Sequence, residues 1–351
     1  MKKILALMLA GCLALSMAAC GGEKQPAAEE SKTETTEPAA TEEKKAEDKA
    51  GEDAKKVEAE VPAGGKVGVC IYKFDDAFMT TYRNALQAIL EEKGYEVSVV
   101  DGNNDQAKQT EQVNTFITQG VDALIINPVM TSAADTIIAA VQQADVPTVL
   151  INREPTAEQM AAYNKLVYVG CDAAQSGTFQ GEIIAETENH GDFNGNGVVD
   201  YVMIMGDPEN VDAKYRTEFS IKALEDAGLK TNELYKQRGD WDQTKGQELA
   251  ATALTQFGND VDVIFCNNDA MALGAYQAIV DAGRTVGEDI YLVGVDALDE
   301  VQEMVKEGKV TGTVLNDHIG QSHTAADAAI KAANGETLEK YYWVDYVKVT
   351  K

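Results

Sequence analysis

The sequence predicts an α/β protein made of two doubly wound parallel-sheet lobes, and two patterns predict it. Short β-branched runs alternate with amphipathic stretches, and the runs are apolar throughout, as strands covered on both faces must be. The alternation also starts twice, near Lys66 and again near Asp172, which gives two sheets with a cleft between them.

The elements follow in order. KVGVCIY precedes a helix expected near 81–93, and YEVSVVDG precedes one near 107–119. ALIINPV and PTVLINRE flank a helix over 133–143. After LVYVGCD come a helix to about Glu188, the strand YVMIMG and a helix over 216–227. DVIFCNN, a helix over 271–282 and YLVGVDA complete the second series.

The chain begins as a secretory signal: Lys2 and Lys3, then ILALMLAGCLALSMA, too short to span a bilayer. Met17-Ala18-Ala19-Cys20 resembles a bacterial lipobox, which implies cleavage after residue 19 and lipid on Cys20. From there to Gly65 the chain carries almost no large apolar side chain, so it reads as a flexible acidic tether. The whole is expected at the extracytoplasmic face of the cell membrane, held by lipid.

Composition excludes several function classes. A formal net charge of -28 is wrong for nucleic acid, which needs clustered Lys and Arg. Beyond Cys20 the cysteines are Cys70, Cys171 and Cys266, each inside an apolar run, and they read as buried small hydrophobes. No Cys/His spacing suggests zinc. His190, His318 and His323 give histidine catalysis little material.

Ligands of open α/β sheets bind beyond the carboxyl ends of the strands. Those ends are polar here: Asp75-Asp76, Asn127, Asp207, Asn267-Asn268-Asp269, Asp296 and Asn316-Asp317. Any one could be only a helix N-cap. Together, with Arg216, Phe78 and Trp241, they describe a cleft of planar donor–acceptor groups and aromatic faces. Paired polar groups suit neighbouring ring hydroxyls, and aromatic faces suit the C–H faces of a sugar. Phosphate would want a glycine-rich loop or several cations. An amino-acid ligand would lean on Arg216 alone. A neutral sugar is the best chemical match.

DFNGNGVVDY has the spacing of a calcium loop, with oxygen side chains at Asp192, Asn194, Asn196 and Asp200 and a turn at Gly197. Its twelfth position, however, is Met203 rather than a closing glutamate. Either this is a polar turn, or the last ligand comes from elsewhere.

IYKFDDAFM, ALIINP, DPENVDAKYRTEF, RGDWDQT, FCNNDAMALGAY, VGVDAL and GTVLND resemble, in order, the periplasmic glucose/galactose-binding protein family, receptors of bacterial ABC sugar importers. The resemblance runs from Lys66 almost to the C-terminus. It implies the type I periplasmic-binding-protein fold, with a three-strand hinge crossing near 150–153, Asn316 and Tyr342. The lobes would then be 66–150 with 317–342, and 151–316 with 343–351.

By position it implies sugar contacts at Asp76, Phe78 and Asn127 from one lobe and Asn210, Asp212, Arg216, Trp241, Asn268 and Asp296 from the other. Asn316 would make its contact at a crossing. Phe78 and Trp241 would sandwich a pyranose, and Asp76 would accept near O4, so glucose or galactose is the expected ligand. The family's usual histidine is Asn210 here, which leaves the preference among hexoses open. The family also closes its calcium loop from a distant strand. A structural calcium would therefore be held by Asp192, Asn194, Asn196, the Val198 carbonyl, Asp200 and Asp262.

The implied partners are a membrane permease and, for a sensor, a chemoreceptor; the protein itself is expected to be a monomer. Ribose or another pentose is the alternative ligand. A glycosidase using Asp76 and Asp296 is the alternative class. A sugar-responsive repressor would need a basic headpiece, where this chain has a signal and an acidic tether.

Overall fold

A computed structural model of the chain describes residues 64–351. The signal (1–19), Cys20 and the tether as far as residue 63 lie outside the described residues. Gly64 and Gly65, expected as the tether's end, already belong to the folded part. The Gly64 N–H donates to the Gly94 carbonyl at 3.0 Å, and the Gly65 carbonyl accepts from the Glu96 N–H at 3.0 Å.

The first lobe is laid down as β1 (Lys66–Ile71), α1 (Ala77–Glu92), β2 (Glu96–Asp101), α2 (Gln106–Gln119) and β3 (Ala123–Ile126). It continues through α3 (Ala134–Gln143), β4 (Thr148–Ile151), α4 (Ala157–Ala162) and β5 (Leu166–Gly170). The second comprises α5 (Ala173–Ala185), β6 (Val199–Met205), α6 (Val211–Asp226), β7 (Thr231–Arg238), α7 (Gln243–Phe257) and β8 (Val263–Cys266). It continues with α8 (Asp269–Asp281), β9 (Tyr291–Val293), α9 (Asp299–Glu307) and β10 (Gly312–Leu315). The chain then returns to the first lobe as α10 (His318–Ala333) and β11 (Tyr341–Trp343), and ends in the second as β12 (Val347–Thr350).

The first sheet has the order β11-β5-β4-β3-β1-β2 and the second β12-β10-β9-β8-β6-β7. Named-strand pairings are parallel except β12, which runs antiparallel to β10. Successive residues of β3 serve opposite faces, as strand periodicity requires. Ala123 and Ile125 meet Leu86 and Leu90 of α1, while Leu124 and Ile126 meet Phe116 of α2 and Ile137 of α3. Each fully buried Leu or Ile contributes roughly 1.5–3 kcal/mol.

The chain crosses between sheets after Gly170, Leu315 and Trp343. The crossing expected at 150–153 is therefore corrected to Cys171, and the first lobe extends to Gly170. β4 pairs with β3 on one side and β5 on the other, so it cannot leave the first sheet. The restart of the alternation at Asp172, rather than the polar end of β4, marks the boundary.

Several helices start earlier than periodicity alone suggests, because the strand-end residues cap them. α1 begins at Ala77, with Asp76 Oδ1 accepting the Met79 N–H at 2.7 Å. α6 begins at Val211 behind Asn210, and α8 begins at Asp269 behind Asn268.

Candidate functional site

Strand ends of both lobes converge on one cavity. Of the residues named from the sequence, Asp76, Phe78, Asn210, Asp212, Arg216, Trp241, Asn268, Asp296 and Asn316 are brought together around it. The capping role and the lining role are not alternatives. Asp76 caps α1 through Oδ1 while Oδ2 accepts the Tyr72 hydroxyl at 2.6 Å. Asn268 caps α8 through Oδ1 and donates from Nδ2 to the Trp241 carbonyl at 3.3 Å. A polar side chain tied to a helix end is already ordered, which lowers the entropy cost of ligand capture.

Asn127 departs from the expected set. It is fully buried, and Nδ2 donates to the Ile151 carbonyl and to Asn152 Oδ1, each at 3.2 Å. It stands behind Asn152, which lines the cavity, and is not itself among the lining residues.

Sequence reasoning missed Tyr72, Met79, Asn152 and Arg153. Asn152 and Arg153 follow β4 and obey the same strand-end rule as the others; their reading as a crossing hid them. Arg153 is buried, its guanidinium lies 3.8 Å from the Tyr72 ring centre, and it donates to the Val129 carbonyl.

Arg216 is the electrostatic centre of the second lobe's wall. It donates to the Asn267 carbonyl at 2.8 Å and the Tyr346 hydroxyl at 3.0 Å. Asp212 and Asp296 lie 3.6 and 3.9 Å from its nitrogens. Burial works against its charge, but Tyr346, Asp212 and Asp296 outweigh burial and hold it firmly protonated. Burial pushes the Asp212 carboxyl up, opposed by Arg216 and Arg153. Burial also pushes Asp296 well up; Arg216 opposes it, while Asp269 and Asp76 of the other lobe add to it.

Three donors around this cavity are buried without a hydrogen-bond partner among the described residues: Arg153 Nε, Arg216 Nε and Trp241 Nε1. Buried unpaired donors are costly, so a site that keeps three beside one cavity is built for acceptor oxygens. Trp241 reaches its position with φ +65 and lies against Gly206, where any Cβ would come within 2.2 Å of the indole.

The comparisons agree with this geometry. Residues 67–337 match the family model described as the periplasmic binding protein domain. The chain belongs to the periplasmic binding proteins. It is 34% identical to the D-galactose/methyl-galactoside binding periplasmic protein of Haemophilus influenzae over 286 residues, covering 80% of this chain and 85% of that one. It is 28% identical to the ribose import binding protein of Salmonella typhimurium, covering 84% and 94%. Among solved structures, an ABC transporter solute binding protein from Bacillus halodurans with bound myo-inositol superposes with TM-score 0.72 at 30% identity, covering 82% and 95%. This periplasmic binding protein is therefore a sugar-binding component of an ABC transporter, not an enzyme, and works outside the cytoplasm. Among the described residues, no helix is long and apolar enough to cross a membrane.

In this binding protein the Asp192 loop is held by its own carboxylates. Asp192 accepts the backbone N–H groups of Gly195, Asn196 and Gly197 at 2.7–3.2 Å. Asp262 is fully buried in the second lobe and accepts from Phe193, Asn194 and Asp200. Asn194 Nδ2 bridges Asp200 and Asp262 at 3.1 and 3.2 Å, and Asn196 Nδ2 donates to Asp200 at 2.7 Å. Among the described residues, no three acidic, histidine or cysteine side chains are arranged around one point as metal ligands. The long-range partner named from sequence, Asp262, does meet the loop.

Proposed function

We propose that this protein captures a hexopyranose, D-galactose or D-glucose, by closing its lobes, and delivers it as a lipid-anchored monomer to a membrane permease. The observation that carries the reading is the set of three unpaired donors beside a cavity edged by Asp76, Asp212 and Asp296. Ring hydroxyls would accept from the donors and donate to the carboxylates. Phe78 and Trp241 would cover the ring's apolar faces. Because contacts come from both lobes, ligand favours the closed state. The galactose-binding relative supports the choice of ligand.

Arg153 and Asn210 favour a second reading, a ring polyol of the myo-inositol type. A second guanidinium beside the ring offers forked donors to an extra hydroxyl. The myo-inositol-bound relative supports this ring class. Intrinsic fluorescence separates the two readings. With Trp343→Phe leaving Trp241 as the sole tryptophan, titration with D-galactose, D-glucose, D-ribose and myo-inositol ranks the ligands. Hexoses first supports transport of galactose or glucose; myo-inositol first transfers the assignment to the polyol. A response to none refutes both.

We also propose a structural calcium in the Asp192 loop. Its donor set would be Asp192, Asn194, Asn196, the Val198 carbonyl, Asp200 and Asp262. The donor chemistry fits a hard cation once the Asn194 and Asn196 amides turn to offer oxygen. With NH₂ inward, these amides meet the charge of Asp200 and Asp262; with oxygen inward, only a cation could. Calcium here would tie the loop to β8. Thermal unfolding with calcium and with chelator tests this: no difference between the two abandons the site. Lipid anchoring predicts that Cys20→Ser moves the protein from the membrane fraction to the soluble one. A chemoreceptor role would use the same closed form.

A further inference from the structure

The turn that presents Asp296 to the cavity is strained. Asp296 and Ala297 have φ of +124 and +52, adjacent positions that side-chain-bearing residues rarely occupy. What holds the turn is a buried carboxylate behind it, fully shielded from solvent. The Asp269 N–H donates to the Val295 carbonyl at 2.7 Å, and Asp269 Oδ2 accepts the Leu298 N–H at 2.9 Å. The Thr313 hydroxyl donates to Asp269 Oδ1 at 2.7 Å and accepts from the Ala297 N–H at 3.3 Å. Leu298, the N-cap of α9, makes no side-chain cap bond, and Asp269 satisfies its backbone N–H. A Cβ at Gly294 would lie 2.2 Å from Asp269 Oδ1, so the strand beside it leaves the carboxylate room.

We propose that Asp269 is a positioning residue: it clamps the 295–298 turn so that Asp296 faces the ligand, and its charge tunes how readily Asp296 stays anionic. Asn268 and Asp269 are consecutive, and they divide the work. One lines the cavity, and the next holds the neighbouring turn that carries Asp296.

The charges make the coupling direct. Asp269, Asp296 and Asp212 are buried and Asp76 is half-buried, against the two guanidiniums of Arg216 and Arg153. Arg216 acts on Asp269 from α6, Thr313 from β10, and the Leu298 and Ala297 backbone from the turn itself. Asp296 is faced by Arg216, Asp269, Asp76 and Asn316. Asp269, raised by burial to about 6, titrates within the accessible range, and Asp296 is raised with it. An anionic Asp269 makes ionisation of Asp296 harder, and acid therefore removes the acceptor that the ligand needs.

The proposal rests on the sugar reading of the cavity, and its test compares pH profiles. The intact protein and Asp269→Asn are titrated calorimetrically with D-galactose, D-glucose and myo-inositol between pH 4.5 and 8. Asparagine can keep the Leu298 contact while removing the charge. Affinity of the intact protein is expected to fall with acid, and Asp269→Asn, which lacks the neighbouring charge, is expected to lose affinity at a lower pH than the intact protein. His318, which packs against Phe78, is present in both proteins. Thr313→Val, which removes the hydroxyl between Asp269 and Ala297 at nearly constant volume, is expected to weaken binding about tenfold with the far-UV spectrum unchanged. Superimposable pH profiles, or a Thr313→Val protein of full affinity, overturn the role of Asp269. Failure of every probe to bind overturns the ligand reading instead.

Discussion

The cavity and the Asp192 loop each gather carboxylates and amides in the second lobe, yet they balance their charge differently. In the cavity, Arg216 and Arg153 stand beside Asp212 and Asp296, so the wall carries its own counter-charge. In the loop, Asp200 and Asp262 have only amide N–H groups between them. A site with its own cations suits a neutral ligand rich in hydroxyls. A site of carboxylates without cations suits a metal ion. The difference supports the proposed sugar in the cavity and the proposed metal in the loop.

The largest effect expected from breaking this contrast is at Arg216. Arg216→Met leaves Asp212 and Asp296 buried without a partner, which costs roughly 3–5 kcal/mol of stability. Thermal unfolding should show a large fall, with sugar binding abolished. Next comes Trp241→Ala, whose loss of a buried aromatic anchor should weaken sugar affinity about 30-fold or more in calorimetry. Asp262→Asn should leave sugar affinity nearly intact while removing the difference in melting temperature between calcium and chelator. An unchanged calcium effect in that variant would return the loop to a plain polar turn.

Stability should also follow the buried acids. Asp212, Asp262, Asp269 and Asp296 are raised above their unfolded values, first by burial. Their charged forms oppose folding, and protonation in the folded state relieves that opposition. The ligand-free protein should therefore become more stable as pH falls from about 7 toward 5, read as a rising melting temperature. The smallest effect is at Lys222, whose partner Asp226 is exposed on α6; Lys222→Ala should change neither melting temperature nor affinity measurably.

Much of the site was legible because the strand-end rule is local. Asp76, Asn268, Asp296 and Asn316 announce themselves by type and place, whereas Asp212, inside α6, came only with the family resemblance. Two features were not legible. Strand ends do not say which way a side chain turns: Asn268 lines the cavity while its neighbour Asp269 turns to the turn behind it. Nor does local sequence say which sheet a late element joins. α10 and β11 return to a lobe whose other strands lie more than a hundred residues earlier, through Ala325 and Ala329 packing on Val149 and Leu86. The first crossing was misplaced for the same reason, since the Asn152–Arg153 end of β4 resembles an exit until its pairing with β5 is known.

The most direct test of the central claim is calorimetric titration of the purified protein with D-galactose, D-glucose, D-ribose and myo-inositol, paired with Trp241→Ala. Saturable one-to-one binding is expected, tightest for a hexose and weakened about 30-fold or more in the variant. A full-affinity Trp241→Ala protein, or no binding of any of the four, would contradict it.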